Sequence, residues 1–268
     1  MAANAELQFE RKPKFMLAIQ DSLLMIARSS RHIIRNTDQL LGTFFQPIMF
    51  LVLFVYVFGG AINTGGGSYI NFLIAGIIVQ TAAFGSTTTA WAVANDMQKG
   101  IMDRFRSLPM FNLAVLNGHV ISDMFRNTIS TLVMIVTGLL IGFRPKADFT
   151  DWLAIAGILL LFTLAFSWLS AILGLLAKSI EAVQWLGFVL VFPLTFASSA
   201  FVPTEGMATG LRIFAENQPI TQVVNAVRAL MTGQPVGNAG WLAVAWSIGI
   251  LVVSVPIASY LFRKKTTG

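Results

Sequence analysis

Six long runs of apolar residues, separated by short polar or glycine-rich segments, dominate the chain. The runs cover residues 40–58, 70–94, 113–143, 152–177, 182–201 and 241–262. At a helical rise of about 1.5 Å per residue, about 20 residues cross the roughly 30 Å hydrocarbon core of a bilayer. No charged residue occurs between Asp38 and Asp96. The pattern predicts an all-α integral membrane protein whose six transmembrane helices form one domain, residues 39–268.

The composition supports a membrane protein. Hydrophobic residues make up 56% of the chain, charged residues only 11%, and the mean hydropathy is +0.74. The net charge is +6, but the basic residues stand at the ends of apolar runs, so nucleic acid is not an expected partner. The chain has no cysteine, which excludes disulfides, a thiolate nucleophile and cysteine-ligated metals.

The distribution of Lys and Arg predicts the orientation. Six crossings place both termini on one side, and cytoplasmic segments of membrane proteins carry an excess of basic residues. We therefore expect a multi-pass protein of the plasma membrane with its N- and C-termini in the cytoplasm. The basic residues then inside are Arg11, Lys12, Lys14, Arg28, Arg31, Arg35, Lys99, Arg104, Arg106, Lys178, Arg263, Lys264 and Lys265, against Arg144, Lys146, Arg212 and Arg228 outside.

Residues 1–38 are predicted to form a cytoplasmic N-terminal segment with an amphipathic helix. The segment has no apolar signal-peptide core, and Arg28, Arg31 and Arg35 recur on one helical face. Apolar residues at helical spacing form another face, namely Phe15, Ile19, Leu23, Ile26 and Ile33. Such a helix can lie on the membrane surface with its arginines at the lipid headgroups. A helix packed on a cytosolic partner is the alternative.

The segment 202–238 between the last two spans is too polar to cross a membrane and more apolar than an ordinary loop. We predict two short helices, Leu211–Asn217 and Thr221–Met231, separated at Pro219 and ending at Gly233. The second helix has an apolar face. The pair can dip into the outer leaflet as a re-entrant hairpin or lie on the surface as a plain helix, and the pattern fits both.

The sequence offers little catalytic chemistry. No Gly-Lys pair occurs, so no Walker A loop for nucleotide phosphates is present. The two histidines do not fall in a cluster with acidic residues. We place His119, Asp123 and Arg126 at the cytoplasmic end of the third span, where Asp123 and Arg126 can pair at i,i+3. With no charge near the centre of a span, an ion-gradient-driven carrier is a weaker alternative.

Two motifs carry a family resemblance that covers nearly the whole chain. The segment from Asn95 to Pro109 reads NDMQKGIMDRFRSLP, and a second segment begins NQPIT at Asn217 and continues to Gly233. Both resemble the membrane subunits of ABC-2 type transporters of the daunorubicin-resistance kind. The first matches the inner loop of that family, and the second matches its final outer hairpin, which contains Pro219, Thr221 and Arg228.

The resemblance implies a permease subunit without an ATPase activity of its own. Segment 95–109 would hold the coupling helix that docks on a separate ATP-binding subunit, through Asp96, Lys99, Gly100, Asp103, Arg104, Arg106 and Pro109. Two copies of that subunit would bind ATP and Mg²⁺, while this chain would need no cofactor. It would pair with itself or with a sister permease, within membrane lipid.

The cargo implied is hydrophobic or amphipathic: a drug, an antibiotic or a lipid. Phe44, Phe45, Phe84, Phe188, Phe192, Phe196, Met49 and Met134 can line an apolar cavity or face lipid. A polysaccharide or teichoic-acid export permease is the alternative within the same fold.

Overall fold

The computed structural model describes residues 37–62, 68–100 and 114–267, and within these ranges the chain is helical and contains no strand. Helix α1 (Thr37–Leu53) continues as a π-helical turn, Phe54–Phe58. The other long helices are α2 (Tyr69–Gln98), α3 (Ala114–Ile141), α4 (Phe149–Leu176), α5 (Ile180–Phe196) and α8 (Gly237–Thr267). Between α5 and α8 lie a 3₁₀ turn (Thr204–Gly206), α6 (Thr209–Asn217) and α7 (Pro219–Thr232).

In the described part of the chain, each apolar run found in the sequence contains a helix. Within the described residues, α2, α3, α4 and α8 are long and apolar enough to cross a membrane. The segments Phe45–Phe58 and Ile180–Phe196 are shorter apolar helices. The all-helical membrane fold is therefore confirmed, with four helices that meet the length and hydropathy of a span.

Helix α2 lies at the centre of the bundle, where it contacts α3, α4, α5 and α7, and α4 in turn packs against α8. Small residues allow these close approaches. A Cβ on Gly76 would lie 2.1 Å from the Ala200 carbonyl oxygen, and a Cβ on Gly174 would lie 2.4 Å from that of Ala90. Dispersion contacts between closely spaced backbones are a main source of helix association in lipid. These two glycines therefore set how near α2 comes to its neighbours.

The fifth apolar run ends earlier than predicted. Helix α5 stops at Phe196 rather than at residue 201, and the residues that follow form a buried turn. The Ser198 hydroxyl donates to the Thr195 carbonyl at 2.5 Å, and the Ser199 backbone amide donates to the Thr221 hydroxyl at 3.3 Å. Two hydroxyl side chains thus provide the hydrogen bonds that end the helix.

The segment between α5 and α8 forms the two short helices that the sequence predicted, with Pro219 in the first turn of α7. Gly233 ends α7 in the left-handed conformation, with φ of 67°. The apolar face of α7 is buried against α2, α4 and α8. Val223, Val224 and Val227 of this face are fully enclosed by the bundle.

Asp123 and Arg126 were predicted at the cytoplasmic end of the third span because the uncharged run starts at Asn127. In the fold, α3 begins at Ala114 and ends at Ile141, so the helix extends for about two and a half turns before Asp123. Both residues are buried.

Candidate functional site: a polar cavity within the helix bundle

A cavity of about 430 Å³ lies between α1, α2 and α3. Its apolar wall includes Pro47, Phe50 and Phe84. Its polar wall comes from Gln46 of α1, Gln80, Thr81, Thr87 and Thr88 of α2, and Arg126 and Asn127 of α3. Of the aromatic and methionine side chains considered from sequence as cavity lining, Phe84 is the one that contributes. The cavity therefore presents both an apolar and a hydrogen-bonding surface.

A buried ion pair lies beside this cavity, and its arginine, Arg126, is one of the lining residues. The Arg126 guanidinium contacts the Asp123 carboxylate, and its Nη2 donates to the Gly85 carbonyl at 2.6 Å. Asp123 also accepts hydrogen bonds from Ser167 Oγ at 2.5 Å and Thr88 Oγ1 at 3.1 Å. Buried charges need such partners to offset the loss of hydration. The network joins α2, α3 and α4 and leaves the pair close to neutral overall.

Asn127 stands beside this pair with its side chain unsatisfied. It is 2% exposed, and neither its amide nitrogen nor its oxygen has a hydrogen-bond partner among the described residues. A Cβ on Gly85 would lie 2.1 Å from Asn127 Oδ1, so α2 leaves space for the carboxamide by lacking a side chain there. A buried, unpaired polar group costs about 1–3 kcal/mol of stability. Asn127 therefore has unused hydrogen-bonding capacity, and it is one of the residues that line the cavity.

The sequence did not single out Gln80, Gly85 or Asn127. One signal was present, because Gln80, Thr81, Thr87 and Thr88 interrupt an otherwise apolar run. These residues recur at helical spacing on one side of α2, and Asn127 directly follows the buried arginine. Polar residues inside a span are candidates for a transport pathway once the helix that they face is known.

The predicted coupling segment is described as far as Gly100. Asp96 lies inside the last turn of α2, is 6% exposed, and its Oδ2 is 3.1 Å from His119 Nε2 of α3. It therefore joins two helices of the bundle, and its part in the predicted coupling segment stays a prediction. Lys99 is exposed at the end of α2, and Gly100 adopts a φ of 62°, which turns the chain away from the helix axis.

Several predicted site residues lie outside the described residues. They are Asp103, Arg104, Arg106 and Pro109 of the coupling segment and Arg28, Arg31 and Arg35 of the N-terminal helix. Their roles stay predictions.

Arg228 of α7 makes contacts with α2, with the turn after α5 and with a neighbouring side chain of its own helix. Its Nε donates to the Phe72 carbonyl at 2.9 Å and its Nη2 to the Ser199 carbonyl at 2.5 Å. Its Nη1 donates to Asn225 Oδ1 at 3.0 Å, while Cζ lies 3.7 Å from the centre of the Phe72 ring. Arg228 thus fastens α7 to α2 and to the turn after α5.

The other two predicted hairpin residues also act at this junction. Pro219 occupies the start of α7, where its missing N–H needs no partner. The Thr221 hydroxyl accepts from Ser199 N and from Gln218 Nε2 at 3.1 Å, and Gln218 Oε1 accepts from Ile220 N at 2.9 Å. Thr221 and Arg228 therefore both bond to the backbone of Ser199, and Pro219 begins the helix that carries them.

Charges outside the apolar helices are arranged as ordinary surface pairs and caps. On α6, Arg212 Nε donates to Glu216 Oε1 at 2.7 Å, and this bond lowers the pKa of the exposed Glu216 carboxyl. At the start of α4, the Asp148 carboxylate accepts from the Asp151 backbone amide at 2.8 Å, which lowers the pKa of Asp148. No group of three or more His, Asp or Glu side chains in the described ranges could hold a metal ion.

Helix α5 carries a ladder of partly exposed aromatic rings. Phe188, Phe192 and Phe196 follow one another at helical spacing, with ring centres 4.7 and 4.2 Å apart. Trp185 and Val189 on the same helix are 69% and 63% exposed. This apolar face suits lipid or another membrane helix.

Comparison with known proteins agrees with this architecture. Residues 21–232 match the family described as ABC-2 type transporter. The daunorubicin resistance ABC transporter permease protein DrrB1 of Streptomyces coeruleorubidus is 30% identical over 258 residues, covering 95% of this chain and 90% of that protein.

Two further relatives cover most of the chain. The probable doxorubicin resistance ABC transporter permease protein DrrC of Mycobacterium tuberculosis is 24% identical over 254 residues, covering 93% of this chain and 91% of that protein. The putative transport permease ycf38 of Cyanophora paradoxa is 26% identical over 231 residues, or 84% of this chain and 77% of that protein. The resemblance seen in the two sequence motifs is confirmed, and the chain belongs to the ABC-2 type transporter family of membrane permeases.

Proposed function

We propose that this chain is the permease subunit of an ATP-driven exporter of amphipathic, drug-like molecules. The observation that carries the proposal is the cavity between α1, α2 and α3, which has apolar and hydrogen-bonding walls inside a bundle of this family. Relatives named for daunorubicin and doxorubicin resistance support the cargo class. The chain would supply the path, and a separate subunit would hydrolyse ATP.

The proposed topology has six crossings with both termini in the cytoplasm. The four long apolar helices and the two shorter ones, Phe45–Phe58 and Ile180–Phe196, supply the crossings. The basic residues at the end of α8, Lys264 and Lys265, support a cytoplasmic C-terminus. The pair α6 and α7 would form a re-entrant hairpin on the outer side, since the apolar face of α7 is already buried by protein.

The proposed coupling element is segment 95–109, docked on the ATP-binding subunit. Lys99 and Gly100 support this position because one is exposed and the other turns the chain out of α2. The Asp96–His119 contact joins this corner to α3, so a displacement of the segment would move two helices together. Asp103, Arg104 and Arg106 would make charge-assisted contacts with the subunit.

The proposed assembly contains two permease chains and two ATP-binding subunits, which bind ATP and Mg²⁺. The exposed apolar face of α5, with Trp185 and Phe188, suits contact with a second permease, either a copy of this chain or a sister chain. Each binding of ATP would bias the equilibrium between two arrangements of the helices.

A pull-down from native membranes tests this proposal. The tagged wild-type chain is expected to capture an ATP-binding subunit with ATPase activity, and the charge-reversed variant Asp103→Arg/Arg104→Asp is expected to lose the capture. Lys178→Glu, at the turn between α4 and α5, is the matched control and should retain it. If no ATPase is captured by the wild-type chain, the proposal is wrong.

A further inference from the structure

The cavity between α1, α2 and α3 contains hydrogen-bonding groups that the protein itself does not use. We infer that it binds an amphipathic molecule with a ring-sized apolar body, and that Asn127 holds a hydroxyl, carbonyl or amide group of that molecule. The inference rests on the proposed function, because it assigns the place where the exported molecule binds.

Asn127 is the residue best placed for this role. Its carboxamide supplies both donors and an acceptor, it is buried, and no described residue satisfies either end. Gly85 lies directly against its Oδ1, so the carboxamide is held beside α2 at the cavity wall. A buried amide without partners is uncommon in folded proteins, and a bound molecule would supply what the protein lacks.

The electrostatics favour a dipolar group over an ion. Arg126 faces the same cavity, but its charge is balanced by Asp123 and its Nη2 is occupied by the Gly85 carbonyl. Its Nε has no partner in the described part of the chain and can donate one further hydrogen bond. A carbonyl oxygen that accepts from Arg126 Nε or from the Asn127 amide therefore fits without an added charge.

The size and the aromatic lining select the apolar part. A volume of about 430 Å³ lies in the range of small-molecule sites, about 300–1,000 Å³. Phe50 of α1 and Phe84 of α2 line the cavity together with the polar groups, and aromatic rings can pack against a flat hydrophobic body.

Binding of daunorubicin to the purified chain in lipid nanodiscs tests the inference. Daunorubicin is a suitable probe because it is fluorescent and joins fused rings to hydroxyl and carbonyl groups. Its amino group is protonated at neutral pH, but it lies on a separate sugar, away from the ring carbonyls that would meet Asn127. Asn127→Leu is expected to raise the Kd at least tenfold, because it keeps the side-chain size and removes the hydrogen bonds. Thr128→Val is the control on the neighbouring, exposed face of α3 and is expected to change the Kd less than twofold.

Asn127→Leu should fold at least as well as the wild type, since it replaces an unsatisfied polar group with an apolar one. Its melting temperature serves as the check. Equal Kd values for Asn127→Leu and wild type, or no saturable binding by the wild-type chain, would overturn the inference.

A second measurement uses the absence of cysteine from the chain and keeps Asn127 intact. Thr81→Cys places a single thiol in the cavity wall, and Thr128→Cys places one on the exposed face of α3. Daunorubicin is expected to slow maleimide labelling at residue 81 at least fivefold and to leave residue 128 unaffected. Equal labelling with and without the probe at residue 81 contradicts the inference.

The two proposals fail in different ways. Capture of the ATP-binding subunit does not require Asn127, so captured ATPase with unchanged binding by Asn127→Leu overturns this inference alone. A chain that binds daunorubicin through Asn127 but captures no ATPase overturns the proposed function, while the inferred binding site still stands.

Discussion

The Arg228 guanidinium lies over the Phe72 ring, with Cζ 3.7 Å from the ring centre, while its Nε donates to the carbonyl of the same residue. One side chain thus binds both the backbone and the side chain of a residue on α2. This relationship, together with the bond to Ser199, explains how the short helix α7 is held against the bundle.

Replacement of Arg228 should loosen α7. Arg228→Met keeps much of the apolar stem but leaves the Phe72 and Ser199 carbonyls without their charged donor, and we expect a loss of about 2–3 kcal/mol in unfolding free energy. Arg228→Lys should lose less, because an ammonium can still reach one carbonyl. Thermal unfolding in detergent measures both, and equal melting temperatures for Arg228→Met and wild type would contradict the assigned role.

Gly76→Ala should destabilise the bundle where α2 meets the turn after α5. The added Cβ would lie 2.1 Å from the Ala200 backbone oxygen, which cannot move as a flexible side chain can. We expect a cost of about 1–3 kcal/mol, as for other overpacked sites. Gly157→Ala is the matched control, since nothing lies within 4 Å of its Cβ position and alanine favours the helix. Melting temperatures that fall equally in both variants would refute this packing.

The ion pair in α3 should show the behaviour of buried charges. Asp123→Leu alone leaves Arg126 buried without its counter-charge and is expected to cost about 3–5 kcal/mol. Asp123→Leu/Arg126→Met removes both charges and should recover most of that loss. A double variant as unstable as the single variant would show that the network acts through its bonds to Ser167 and Thr88 instead.

We predict a pH effect on stability for the Arg212–Glu216 pair of α6, which lies outside the apolar helices. Because the folded-state pKa of Glu216 is lowered, its stabilising contribution is present above the ordinary glutamate pKa and is lost as pH falls through the folded value. We expect Arg212→Gln to raise the Glu216 pKa, since the first cause of the lowering is the bond from Arg212. NMR titration of labelled glutamate side chains measures this, and an unchanged titration in Arg212→Gln would contradict it.

The helices were predictable because their signals are local. An apolar run, a proline and a glycine each act on the backbone at or near their own position. The apolar helices therefore lie where the sequence predicts them, as do Pro219 at the start of α7 and Gly233 at its end. The ends were harder to predict, since α5 stops at Phe196 through hydroxyl contacts that no periodicity reveals.

The site was predicted only in part, because its chemistry depends on contacts between helices distant in sequence. The contacts that enclose Asp123 come from Ser167 of α4 and Thr88 of α2, which lie far from it in the sequence. The Asp96–His119 contact likewise joins two helices and has no local signal. Asn127 is a candidate because its side chain is buried without a partner among the described residues, which the sequence alone does not reveal.

ATP-driven transport tests the central claim most directly. Inside-out vesicles containing this chain and its captured ATP-binding subunit are expected to accumulate daunorubicin when ATP and Mg²⁺ are supplied, and to stop when ATP is replaced by a non-hydrolysable analogue. Accumulation that continues without ATP and collapses when a proton gradient is dissipated would contradict the account and indicate an ion-driven carrier.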